Sequence, residues 1–307
     1  MCYNILNIIQ AGKSMTLQQL KYIVTVAQTG TITEAAGELY ISQPSLTNAI
    51  HELEKEMNIT IFNRTNKGIS VSKEGEEFLS YARQILDQAY KGDNGGRKQY
   101  CISTQHYSFA VNAFVDLIKQ FGQNEYDFSL RETQTYEIIE DVARLRSEIG
   151  ILFINDFNEA VIRKILKSYE LEFHELFTAR PHVFISRKHP LAQCSVIHNG
   201  QLEEYPYLSF EQGEHNSFYF SEEIFSETAR KKNIRVRDRA TLFNLLIGLN
   251  GYTVSSGILD KKLNGKDIIA VPLADEADMR IGYITHRKGM LSRLGSTYLE
   301  AIKKYLK

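Results

Sequence analysis

Ile32 to Gly75 reads ITEAAGELYISQPSLTNAIHELEKEMNITIFNRTNKGISVSKEG. The stretch sets a short helical run, a polar break, a second helix with a capped start, and two short apolar strands around a turn. That order is a helix-turn-helix followed by a β wing, a device that lays one helix in the major groove of duplex DNA. Ser42 is a good N-cap, and Pro44 suits a first turn, where a missing N–H was unpaired in any case. From there Leu46, Ala49, Ile50, Leu53 and Met57 recur at three- and four-residue steps and form a core-facing side. The opposite side carries Gln43, Pro44, Ser45, Thr47, Asn48 and His51, with no carboxylate before Glu52. Amides pair with adenine edges and hydroxyls with bases or phosphates, whereas an acid here would face phosphates at close range.

Working outward, a preceding helix from Leu17 to Thr29 aligns Leu17, Leu20, Ile23, Val24 and Ala27 on one stripe and ends at Gly30. The next helix is expected to begin near Thr33 as N-cap, with Ala35 and Ala36 small enough for a neighbour to approach closely. Beyond the third helix, Ile59, Ile61 and Phe62 anchor the wing, Asn66-Lys67-Gly68 makes its turn, and Ile69 and Val71 return. No acid lies between Met57 and Lys73, so Arg64 and Lys67 are placed as phosphate contacts, which position a protein without reading sequence. From Lys73 to about Lys91, Phe78, Leu79, Ala82, Ile85, Leu86 and Ala89 mark one side of a linker helix. Gly92-Asp93-Asn94-Gly95-Gly96 follows as a hinge. The linker stripe must pack either on its own head or on the same helix of a second subunit.

Taken together, Met15 to Gly75 resembles the DNA-binding head of LysR-type transcriptional regulators. The matching pieces are Ala35-Ala36, Leu39, SQPSLT from Ser42 to Thr47, Ile50, Leu53-Glu54, IFNRT from Ile61 to Thr65, and the close from Ser72 to Gly75. The resemblance implies base and phosphate contacts at Gln43, Pro44, Thr47 and Asn48, with Arg64 on the backbone. Many relatives place arginine where this chain has Asn48, which moves the expected partner there from guanine to adenine. The resemblance also implies promoter DNA as partner, a homodimer through the linker helix, and a homotetramer built from it.

After the hinge the pattern alternates strand and helix. Strands are expected at 100–103, 127–132 and 149–154, and helices at 109–121 and 137–145, an order that gives a parallel sheet with helices on both faces. A second run follows: PHVFIS from Pro181, YPYLSF from Tyr205, a helix from Ser217 to Lys231, IRVRD, a helix through Leu242 to Leu249, a strand at Tyr252 and DIIAVPL from Asp267. MRIGYITH from Met279 and a helix from Leu291 return to the first lobe. Two α/β lobes joined by crossing strands resemble the periplasmic solute-binding fold, which is the effector domain of the LysR family. The expected division is an extension at 1–14, a winged helix-turn-helix at 15–73, a linker helix and hinge at 74–96, and an effector domain at 97–307. Its first lobe takes 97–178 and 273–307, and its second 179–272.

In such sheets ligands sit beyond the C-terminal ends of strands, against helix N-termini. That rule selects Ser103, Thr104, Gln105 and His106 after the first strand and Asn155 after the third. In the second lobe it selects Ser209, Gln212, Asn216 and Ser217, with Asn216 or Ser217 as the next helix's N-cap. Hydroxyls, amides and helix dipoles suit a small anion or an amino-acid-like carboxylate, while Glu211 and Glu214 add opposing negative charge. Most such residues at helix starts serve only as caps. The Thr104-Gln105 pair resembles the sulfur-metabolism branch of the family, which implies a sulfur metabolite as effector.

Composition narrows the classes further. The chain has 307 residues, 43% hydrophobic and 24% charged, with net charge −1, enough length for two or three domains but no basic coat. The head itself is nearly balanced in charge, so two heads on one dimer are needed for firm binding and a two-fold operator follows. No apolar run approaches the roughly 20 residues of a membrane span. The apolar residues of Met1 to Ser14 lack a basic flank and a cleavage site, so a reducing cytoplasm is expected, with the segment either preceding Met15 as the functional start or forming a disordered arm. Cys2, Cys101 and Cys194 form no CxxC pair and no metal spacing, and neither a metal nor a cofactor is expected. The competing class is an α/β enzyme with an accessory head. It lacks a GxSxG elbow, a P-loop, a GxGxxG turn and any nucleophile–base set, so no catalytic residue is expected.

Overall fold

The computed structural model describes residues 15–65, 68–89, 98–121, 125–259, 265–275, 277–287, 289 and 291–306. Residues 1–14, Asn66, Lys67 and the hinge from Gly92 to Gly96 lie outside that set. The head opens with α1 (Leu17–Thr29), capped reciprocally by Thr16 and Gln19 and closed by Gly30 at φ 77°. Its inward positions are Leu20, Ile23, Val26 and Ala27, whereas Leu17, expected inside, is 44% exposed in the first turn. α2 (Ile32–Glu38) starts on Thr31, not Thr33: the Thr31 hydroxyl accepts the Glu34 N–H at 3.2 Å. Thr33 is thereby released to donate to Gln43 Oε1 at 3.3 Å. α3 (Gln43–Met57) is capped by Ser42, buries Leu46, Ile50 and Leu53, and ends on Asn58 in the left-handed region.

The wing is β1 (Phe62–Thr65) paired antiparallel with β2 (Gly68–Val71). Glu54 binds it to α3, since its Oε1 accepts the N–H of Ile61 at 2.8 Å and of Phe62 at 3.1 Å. The Ser72 to Gly75 close has an equally local reason. Ser72 Oγ accepts the Gly75 N–H at 2.9 Å and donates to the Thr60 carbonyl, and a Cβ on Gly75 would collide with the Ile61 carbonyl. α4 (Lys73–Ala89) is the linker helix. Its Phe78, Leu79, Ala82 and Leu86 are buried in the head's own core beside Leu20 and Ile23, while Ile85 is 36% exposed. The apolar stripe therefore serves this chain's head, each large side chain contributing about 1.5–3 kcal/mol. Leu145, from the following domain, inserts into the same core, and Arg83 donates to its carbonyl.

The remainder forms two five-stranded sheets. The first contains β3 (Lys98–Thr104), β4 (Tyr126–Glu132), β5 (Ile149–Ile154), β6 (Leu171–Ala179) and β12 (Met279–His286), in the order β4-β3-β5-β12-β6. β3, β4 and β5 run parallel, as the alternation predicts, and the returning β12 inserts antiparallel between β5 and β6. α5 (Ser108–Phe121), α6 (Thr135–Ala143), α7 (Glu159–Ser168) and the closing α9 (Arg293–Lys303) flank it. β5 is buried along its whole length, the mark of a strand covered on both faces.

The second sheet has the order β11-β7-β10-β8-β9, from β7 (His182–Ser186), β8 (Tyr207–Phe210), β9 (Asn233–Val236), β10 (Tyr252–Ser255) and β11 (Ile268–Pro272), with α8 (Arg239–Leu249) packed against it. The chain crosses between sheets after β6 and again after β11. One expected element does not form: Ser217 to Lys231 is not an α-helix. It holds only a 3₁₀ turn at Phe218–Phe220, and Phe225 adopts φ 58°. The physical reason is the burial of Glu222 and Glu223, which are drawn inward by tertiary partners that no regular helix here could reach.

Candidate functional site

Two surfaces gather the expected functional residues. On the head, Ser42 fixes the start of α3, and the side away from Leu46, Ile50 and Leu53 exposes Gln43, Pro44, Ser45, Asn48 and His51, with Thr47 half-buried among them. Ser45 Oγ lies 2.7 Å from Ser42 Oγ, so it supports the cap as well as facing out. His51 is 79% exposed and sits 3.5 Å from Glu54 Oε2. Arg64 lies in β1, but its side chain, like all of Lys67, lies outside the described residues. Sequence reasoning missed two neighbours of this face. Thr33 bonds Gln43, and Tyr40 at the turn is 95% exposed with φ 54°. A bulky residue at the polar break between two helices is the signal that could have flagged Tyr40, since the left-handed region rarely takes one.

The second surface is the cleft between the two sheets. His106, after β3, meets Glu222 from the second lobe. Glu222 Oε2 accepts the His106 backbone N–H at 2.9 Å and lies 2.9 Å from Nδ1, and the imidazole stacks on Phe210 at 3.7 Å. Burial alone would depress the His106 imidazole. The Glu222 carboxylate beside it, with Glu132 and Glu223 behind, more than offsets this, so the net shift is upward. Arg239 reaches across to Glu132 at 3.0 Å, Ser108 donates to the Ile258 carbonyl, and Gln212 Oε1 accepts the Thr135 N–H at 3.0 Å. These bonds hold the lobes together around a cavity of about 30 Å³, lined by His106, Phe210, Glu222, Glu223, Arg239 and Thr253 among others. That is room for one or two water molecules.

The other expected cleft residues are placed differently. Ser103, Thr104 and Gln105 are fully buried and none lines the cavity. Ser103 donates to Asp141 at 2.6 Å, Thr104 to the Gln105 carbonyl, and Gln105 ties Thr135, Tyr107 and the Phe153 N–H together. Their hydroxyls and amides hold lobe I's own loops. Asn155 is likewise spent on a reciprocal pair with Asn158, at 2.8 and 3.0 Å. Gln212 is buried between Thr135 and Glu222, Ser209 is half-buried in β8, and Asn216 is exposed. Ser217 precedes the 3₁₀ turn without a capping bond from its side chain. Of the expected set, the structure brings only His106 to the cavity wall. Glu222 and Arg239 were missed because their partners, His106 and Glu132, lie more than a hundred residues away, and Glu223 and Thr253 because nothing local marks them.

Among the described residues no helix is long and apolar enough to cross a membrane. Residues 17–76 match the family described as bacterial regulatory helix-turn-helix protein, lysR family, and residues 101–307 match the LysR substrate binding domain. The RuBisCO operon transcriptional regulator of Allochromatium vinosum is 25% identical over 288 residues, covering 90% of this chain and 91% of the relative. The Hca operon transcriptional activator HcaR of Escherichia coli is 30% identical over 196 residues, 64% of this chain and 65% of its own. A solved full-length OxyR variant from Pseudomonas aeruginosa superposes with TM-score 0.55 at 18% identity, covering 94% of this chain and 98% of that one, which bears on the fold alone. A winged head with an acid-free outer face, followed by a two-lobed domain whose lobes close on a cavity, thus has matches along nearly its whole length: the chain belongs to the LysR family of DNA-binding transcriptional regulators with an effector-binding domain.

Proposed function

We propose that this regulator reads promoter DNA through Gln43, Pro44, Ser45, Thr47, Asn48 and His51, with Arg64 and Lys67 of the wing on phosphates. The observation that carries the reading is the outward face of α3, polar, exposed and free of carboxylates until Glu52. Amides on that face favour adenine, and each bidentate amide–base pair discriminates by about 1–3 kcal/mol. The working unit is a homodimer on a two-fold operator, since one head of balanced charge offers little non-specific attraction. Because the linker stripe is buried in its own head, a partner helix must use the side of α4 that carries Ile85. A tetramer would then join two such dimers, the effector domain occupies 97–307, and the protein acts without catalysing a reaction. The effector enters between the lobes and changes the His106–Glu222 closure, which alters how the paired heads are spaced.

The test is footprinting on the native promoter with Gln43→Ala and Asn48→Ala. Both variants should keep the wild-type unfolding temperature and relax base preference at the positions they contact. Unchanged footprints in both would remove α3 from the base-reading role.

A further inference from the structure

Three residues of the interlobe cavity wall each carry a buried polar atom without a hydrogen-bond partner among the described residues: Glu223 Oε2, Arg239 Nη1 and Thr253 Oγ1. Buried groups in that condition are uncommon, because each has lost its hydration without a replacement. Glu223 and Thr253 are each 3% exposed. The rest of each charged group is already committed. Glu223 Oε1 accepts the Phe210 N–H at 2.8 Å, and Arg239 Nη2 holds Glu132. The cavity wall therefore holds a carboxyl oxygen, a guanidinium nitrogen and a hydroxyl without partners, with Phe184, Leu242 and Ile258 supplying apolar surface.

A second observation decides the charge. The donors an incoming anion would seek, the His106 backbone N–H and imidazole ahead of α5, are occupied by Glu222, a carboxylate of the chain itself. A simple anion would find those donors taken, be left with Arg239 Nη1 alone, and bring Glu223 no N–H to accept. A ligand with an N–H donor faces no such conflict.

We infer that the cavity takes an amino-acid-like zwitterion, its ammonium on Glu223 and its carboxylate on Arg239, and that it turns simple anions away. This rests on the proposed reading of the cleft as the effector site and narrows its chemistry. At about 30 Å³ the closed cavity is too small for such a molecule, so entry requires the His106–Glu222 and Arg239–Glu132 bonds between the lobes to part.

Protonation supplies an independent readout. Burial, with the neighbouring charge of Glu222 added, pushes the Glu223 carboxyl up to about 8. Its surroundings in the protein therefore favour the protonated form of that carboxyl. Seating an ammonium favours its ionised form, so binding expels a proton and tightens as pH rises toward 8. His106, Glu222, Tyr107 and Tyr207 are the other charged or titratable groups around Glu223, with Arg239 in the same cavity wall. A variant at Glu223 itself separates its proton from theirs.

Isothermal titration of the full chain would use the proteinogenic amino acids at millimolar concentration, with n-propylamine and propionate as single-charge probes, in buffers of different ionisation enthalpy. The expected result is binding of a compact apolar amino acid with proton release, and no binding of propionate. Glu223→Gln, which keeps an oxygen for the Phe210 N–H, should weaken the amino acid by about tenfold or more and abolish the proton release. Arg239→Gln should weaken the amino acid without weakening n-propylamine. Propionate binding, full affinity in Glu223→Gln, or no binding by any amino acid would each overturn the inference, the last leaving the three atoms to water. Promoter retention by the wild-type chain, measured in parallel, reports separately on the DNA-binding reading.

Discussion

The head and the cleft use polar side chains in opposite ways. On α3, Gln43, Asn48 and His51 stand exposed, and what partners they have are close in sequence or on the adjoining helix. In the cleft, polar groups are buried and mostly consumed by one another across large sequence separations: His106 meets Glu222, Arg239 meets Glu132, Gln212 meets Thr135, and behind them in lobe I Ser103 meets Asp141. On the proposed reading, the DNA face keeps most of its groups outside and free for bases, whereas the effector cleft spends most of its groups on closure and leaves only the remainder for recognition.

The sharpest way to break that contrast is Asp141→Ala. Asp141 is 3% exposed and accepts from Ser103 at 2.6 Å, with Arg146 at 2.8 Å and Arg131 at 3.3 Å. Removing it should cost about 2–3 kcal/mol in urea unfolding, below the full cost of breaking a buried pair because both arginines can turn toward water. The expectation that Ser103 touches ligand predicts a different outcome, an altered effector response at little cost in stability. A stability change under about 0.5 kcal/mol would show that this network does not hold the loop.

What could be read from residues alone follows the same division. Ser42, Pro44, Gly30 and the three- and four-residue apolar steps are local signals, and they place α1, α3 and the wing correctly. The Thr33 start failed by a narrow margin, since two threonines compete for one cap and Thr31 wins by reaching the Glu34 N–H. In the effector domain most strands and helices were legible because βαβ periodicity is local too, whereas β6 (Leu171–Ala179) and α7 (Glu159–Ser168) were not read. The segment after Ser217 was not: its composition is helical, but Glu222 and Glu223 find partners at His106 and at the Phe210 N–H that outweigh helix propensity. Glu54 shows the same limit on a smaller scale. Its place in a family motif was evident, and its role as the acceptor for two wing N–H groups was not.

Glu222→Gln tests the closure with a smaller effect. The amide keeps one acceptor for the His106 N–H but loses its charge, so the variant should lose about 1–1.5 kcal/mol at mildly acidic pH. The sign follows from His106, whose affinity for its proton is raised in the folded chain. A raised imidazole stabilises the fold fully below about 6.5 and loses that contribution as pH rises through the folded value. Wild-type stability should therefore approach that of Glu222→Gln as pH is raised from about 6. Parallel curves over that interval would mean the imidazole is not charged in the closed cleft.

The least effect is expected at His51→Ala, and its small size is the point. His51 is 79% exposed and its one ionic contact, with Glu54 at 3.5 Å, is a surface pair worth a few tenths of a kcal/mol at most. Glu54 holds the wing through its other oxygen, Oε1, so the wing N–H bonds survive the substitution. Unfolding of the head should change by less than about 0.5 kcal/mol, while promoter affinity falls several-fold because the imidazole belongs to the outer face of α3. If the stability loss instead exceeded about 1 kcal/mol, His51 would be a structural partner of Glu54, and the outward-facing set on the recognition helix would shrink to the residues N-terminal to it.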